Sequence, residues 1–152
     1  MNAPGKIIDD GLEYPFRAAP APGETMEVAP GVLWVRMPLP YALDHINLWL
    51  LADGDGWCMV DTGIGTAATR DLWERIFASA LGGRPVTRLI VTHHHPDHVG
   101  QSAWLTRRWG VALHMTETGW YMGRALALDM TEESNRWMVE FYRRAGCNAA
   151  AL

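Results

Sequence analysis

Apolar positions recur with more than one period along this chain, and each period marks a kind of element. Residues 31–37, 45–52 and 57–60 read as strands. In the second, Ile46, Leu48 and Leu50 alternate with Asn47 and Trp49, as a strand with two differing faces does. Asp-Gly-Asp-Gly at 53–56 is a hairpin signal between the second and third. The period then lengthens. Leu72, Trp73, Ile76, Phe77 and Ala80 form a helical stripe over 67–81, with Thr66 as its cap and Gly82-Gly83 as its end. A strand over 88–92, a helix over 101–109 closed by Gly110, and a strand over 111–115 follow. Two further helices are expected at 117–128 and 132–144. The last has Thr131 as cap, Glu132 and Glu133 in its first turn, and Arg143 and Arg144 in its last, all suited to the helix dipole. Its Trp137, Met138, Phe141 and Tyr142 are expected to make one buried stripe.

Strands first, then strand and helix in alternation, predict an α/β arrangement with helices covering a mixed sheet. Pro4, Pro15, Pro20 and Pro22 make residues 1–25 read as an irregular arm, with Glu13-Tyr-Pro-Phe16 as its candidate anchor. The domain is expected over 26–152. At 152 residues and 49% hydrophobic, the chain is long enough for a substantial core. A net charge of −4 with no basic block recommends neither nucleic acid nor a membrane surface as partner. No apolar run follows a basic segment at the N-terminus and no stretch reaches membrane-spanning length. Cys58 and Cys147 lie far apart without ligand spacing, and Cys58 reads as a small core residue. A reduced, cytoplasmic location is the expectation.

The chemistry concentrates in residues 92–100, Thr-His-His-His-Pro-Asp-His-Val-Gly. His93, His95, Asp97 and His98 place four metal-ligand side chains directly after a strand. Imidazole with carboxylate suits Zn²⁺ or Fe²⁺. In extended backbone His93 and His95 point to one side and His94 to the other, so His94 reads as structural or solvent-facing. Pro96 biases His95 towards extended geometry, after which Asp97 and His98 enter a turn or a first helical turn. Two pairs result, His93/His95 and Asp97/His98, able to hold two neighbouring ions.

At these residues the chain resembles the metallo-β-lactamase superfamily, whose signature is His-x-His-x-Asp-His at the end of a strand. Gly56-Trp-Cys-Met-Val-Asp-Thr-Gly63 resembles that family's strand ending in Asp-Thr-Gly. The likeness spans roughly residues 30–115 and lies nearer the glyoxalase II-like hydrolases than the antibiotic-degrading branch. It implies a four-layer αββα sandwich, of which this chain supplies about the N-terminal half. It also implies that Asp61 supports the metal loop by hydrogen bonds and that His93 and His95 hold one ion, Asp97 and His98 a second. Asp97 would further orient or deprotonate the attacking water. The implied reaction is hydrolysis of an ester, thioester, lactone or amide in a small-molecule substrate. An iron dioxygenase using the same loop, or an inactive metal-binding module, are the alternatives.

A catalytic zinc usually takes three protein ligands, and in that family the remaining ligands lie downstream. Beyond the loop the sequence offers only His114 as another imidazole, a candidate ligand or a surface residue; His45 is a candidate substrate contact. The chain is therefore expected to be an N-terminal portion of a longer enzyme or a truncated reading frame. Half a sandwich leaves an apolar sheet face and an unpaired edge, so the missing half or self-association is the expected partner.

Overall fold

A computed structural model describes residues 7–9, 11–129 and 131–148. It divides into two compact units, one up to Met115 and one from Thr116. The first unit holds a small hairpin, β1 (Ile7–Asp9) with β2 (Leu12–Tyr14), and a six-stranded sheet. The sheet runs β3 (Thr25–Ala29), β4 (Val32–Pro38), β5 (His45–Asp53), β6 (Gly56–Val60), β7 (Val86–Ile90) and β8 (Leu113–His114), each beside the next. Pairing is antiparallel as far as β6 and parallel from β6 to β8. The switch follows from the connections. Two-residue turns such as Gly54-Asp55 return the chain antiparallel, whereas helices carry it back to start parallel strands.

Those helices are α1 (Ala67–Ser79), between β6 and β7, and α3 (Ser102–Trp109), between β7 and β8. Between β7 and α3 lies the single turn α2 (Pro96–Val99). The Thr66 side chain accepts from the Thr69 N–H to open α1, and Gly110, left-handed at φ 67°, closes α3. Leu72, Trp73 and Ile76 of α1 and Leu105 of α3 pack into one core with Leu33, Val35, Met37, Ile46, Leu48, Leu50, Met59 and Leu89. Phe77 stacks between the two helices, 6.3 Å from Trp104 and 5.1 Å from Trp109. Alternation thus assigns one sheet face to the helices. The opposite face carries Trp34, Arg36, His45, Asn47, Trp49 and Leu51, none of them buried.

Several expectations change. The arm expected to be irregular contains the β1–β2 hairpin, and Tyr14 of its expected anchor is exposed. Strand β3 was absent from the pattern because neither of its faces is buried and a bulge between Glu27 and Ala29 breaks its alternation. The strand expected at 111–115 shortens to two residues. The unit that begins at Thr116 holds α4 (Glu117–Leu128) and α5 (Glu132–Arg144). The stripe on α5 is not buried: Trp137 is 65% and Phe141 66% exposed, with Met138 and Tyr142 also outside. Helical periodicity shows that a face is apolar, not that something covers it. Cys58 is buried in the sheet, and burial pushes its thiol up. No helix among the described residues is long and apolar enough to cross a membrane.

Candidate metal centre

Strands β6 and β7 are parallel, so the segments leaving their C-terminal ends emerge at the same rim of the sheet. The first is Asp61-Thr62-Gly63 and the second Thr92 to Gly100. Asp61 joins them. Its backbone N–H donates to Ile90 O at 2.8 Å, and its φ of 62° turns the carboxylate towards the second segment. There the Thr92 N–H donates to Oδ1 at 2.8 Å, the Thr92 hydroxyl to Oδ2 at 2.8 Å, and His98 Nδ1 to Oδ2 at 2.8 Å. A carboxylate of 5% exposure with this many donors is fully engaged.

The network assigns the ring protons. His98 gives its Nδ1 proton to Asp61, so its Nε2 presents a lone pair. The Thr92 hydroxyl gives its only proton to Asp61, so at 3.0 Å it accepts from His93 Nδ1, and His93 Nε2 also presents a lone pair. Burial, followed by the neighbouring His98 and His95, lowers the pKa of His93 and favours that neutral form.

His93 Nε2 and His95 Nδ1 face each other at 3.0 Å, and Asp97 Oδ2 lies 3.6 Å from His98 Nε2. Two ligands each 2.0–2.1 Å from a tetrahedral zinc ion stand roughly 3.3–3.4 Å apart. The first pair is a few tenths of an ångström closer than that and the second slightly wider, and the nitrogen-and-carboxylate donor set suits zinc or iron. Each pair supplies two donors. Among the described residues no group of three His, Cys, Asp or Glu side chains surrounds one point.

The loop is held from behind by residues that the pattern of potential ligands did not reveal. Thr62 directs both its N–H, at 2.8 Å, and its hydroxyl, at 2.7 Å, to His98 O. The same hydroxyl accepts from the Gln101 N–H at 3.0 Å, and Trp73 Nε1 donates to Thr62 O at 2.8 Å. Gln101 has no exposed surface. Its amide donates to Ile64 O and Thr66 O and accepts from Arg70 Nε, stitching the metal loop to the start of α1. At Gly100 a Cβ would lie 2.4 Å from Pro96 O and 2.5 Å from Gly65 N, so only glycine lets the two segments pass. The one available signal was a polar residue directly between Gly100 and a helix.

The other histidines lie apart. Among the described residues His94 has no hydrogen-bond partner for its ring, which lies 5.0 Å from that of His95 and 6.3 Å from that of His93 between centroids. His114 is exposed on β8; among the described residues its ring has no hydrogen-bond partner, while its carbonyl accepts from Val91 N–H. His45 opens β5 and binds Asp44 rather than the loop.

Residues 41–145 match the sequence model of the metallo-β-lactamase superfamily, which covers most of the chain and includes the whole loop. The chain belongs to that superfamily. Over 70 residues, 45% of this chain and 22% of the other, this metallo-β-lactamase-fold chain is 33% identical to a probable metallo-hydrolase, YqjP, of Bacillus subtilis (strain 168). The crystal structure of a β-lactamase domain protein from Burkholderia ambifaria is 51% identical with a TM-score of 0.71, covering 74% of this chain and 35% of that one. A metallo-β-lactamase from Pontibacter korlensis shares the fold, with a TM-score of 0.57 at 21% identity over 67% of this chain and 47% of that one. The chain thus spans about a fifth of the curated relative and about a third of the Burkholderia protein.

Proposed function

We propose that this chain carries the metal-holding part of a hydrolase acting on a small ester or thioester, with lactones and amides as the adjoining substrate classes. The observation that supports this reading is the 3.0 Å approach of His93 Nε2 and His95 Nδ1, with His93 and His98 both oriented through Asp61. His93 and His95 hold one divalent ion, zinc or iron, and Asp97 and His98 a second. Bound ions of this kind supply Lewis acidity towards a scissile carbonyl and acidify a water molecule. Asp61 fixes the His98 tautomer and, through Thr92, that of His93. Asp97, partly exposed beside His98, is the carboxylate able to orient an attacking water and take its proton.

The test is to load the chain with zinc or with iron and assay a p-nitrophenyl ester and a simple thioester. Turnover is expected to vanish on chelation and to fall by roughly 10²–10⁴ in Asp97→Ala. A chain that takes up no metal in equilibrium dialysis ends the proposal. One observation favours a second reading, a metal-binding module without turnover: no described group supplies three ligands to one ion. Stoichiometric metal uptake with no hydrolysis of either substrate decides for it.

A further inference from the structure

We infer that Arg36 and His45, on the β4–β5 hairpin, form a receptor for an oxyanion, either a carboxylate or a phosphate, belonging to the substrate of the metal loop. The inference rests on the hydrolase reading for the identity of that substrate, but not for the existence of the receptor.

The β4–β5 register sets three cross-strand pairs on the face turned away from the helices: Trp34 with Trp49, Arg36 with Asn47, and Pro38 with His45. The two indoles stack at 6.3 Å, and Trp34 Nε1 donates to Asn47 Oδ1 at 2.9 Å. Asn47 thereby spends its acceptor on Trp34, leaving Arg36 opposite it without one. Among the described residues the Arg36 guanidinium has no hydrogen bond or ion pair, and its Nε is shut away from solvent unpartnered. A guanidinium has five N–H donors and no acceptor, so a buried unpaired edge calls for an oxygen from a ligand.

The geometry around Arg36 supplies the rest. A cavity of about 560 Å³ is lined by Pro22, Arg36, Met37, Pro38, Asp44 and His45. His45 Nδ1 is bonded to Asp44 Oδ1 at 2.6 Å, which fixes the ring and leaves its Nε2 edge uncommitted. The hydrogen bond from His45 holds the Asp44 carboxyl below its ordinary range, with the charge of Arg36 acting the same way. Asp44 is thus the lining's one anion and is already engaged. The donors left free are those of Arg36, and a fork of N–H groups matches carboxylate and phosphate oxygens. The hairpin end also lies at the right place. β5 runs antiparallel to β6, so His45, at the start of β5, lies towards the rim from which Asp61 and the metal loop emerge.

The chain, isotope-labelled, is titrated with inorganic phosphate and separately with acetate at constant ionic strength, and the Arg36 Nε–H and His45 ring resonances are followed. Saturable shifts are expected with at least one anion, and the responding anion names the source. Affinity is expected to fall at least tenfold in Arg36→Met and in His45→Gln. The Trp34 indole N–H resonance reports that the hairpin is intact in each variant; should Arg36→Met lose it, His45→Gln carries the test. Absence of a saturable shift, or unchanged affinity in a folded variant, overturns the inference. None of these readings needs metal or turnover, so they stand whatever becomes of the hydrolase proposal. In loaded, active protein, Arg36→Met is further expected to raise KM about tenfold for an ester bearing a carboxylate and to leave a neutral ester unchanged. Equal effects on both esters would count against the assignment.

Discussion

Asp61 reaches Thr92 and His98 from a left-handed backbone position, a conformation that asparagine tolerates well. Asp61→Asn therefore removes the charge with little backbone penalty. Metal affinity is expected to fall 10–100-fold, read by competition with a chelator. Gly100 sets a different limit. Gly100→Ala brings a methyl group within 2.4–2.9 Å of Pro96 O, Gly65 N and Gly63 O, all backbone atoms that yield only if the loop moves. A loss of roughly 1–3 kcal/mol is expected in urea denaturation. The ligand-type residues were legible because their chemistry is rare and the alternation of a strand orders them. Gln101 was not, because nothing in its immediate sequence indicates that Ile64 O and Thr66 O await it from about 35 positions upstream. The left-handed turn at Asp61 was equally silent, since a non-glycine residue carries no mark of it.

At the scale of elements, local signals sufficed wherever a helix carried its own cap. Thr66 accepts from Thr69 N–H, and Thr131 forms a reciprocal capping box with Ser134. Thr66→Ala is expected to lower stability by about 1 kcal/mol, visible as a reduced urea midpoint with an unchanged slope. Both helices begin where their caps place them. Strand β3 escaped notice because its identity depends on Val32 to Val35 across the ladder rather than on its own alternation. The apolar face of α5 was readable as amphipathic, but whether it is covered depends on atoms outside the helix, and Trp137 and Phe141 are exposed.

For the whole molecule, the order of strand and helix was enough to predict helices covering a mixed sheet; that α1 and α3 lie on the same side of it follows from the handedness of the two crossovers. One division of labour follows from the sheet's polarity. Glycines at the metal rim are hemmed in, as Gly63, Gly65 and Gly100 are by neighbouring atoms. At the far rim Gly31 and Gly56 are also crowded, by Ala52 and by Thr87 and Pro85, but Gly54, Gly82, Gly83 and Gly110 have nothing within 4 Å of where a side chain would begin. Exposed turns of that kind accept added chain readily. A short peptide tag spliced between Gly54 and Asp55 is expected to leave both the urea midpoint and metal uptake unchanged, whereas the same tag beside Gly100 should abolish uptake. The sheet therefore offers a handle on one side, where the protein can be immobilised or labelled while its working edge faces the solution.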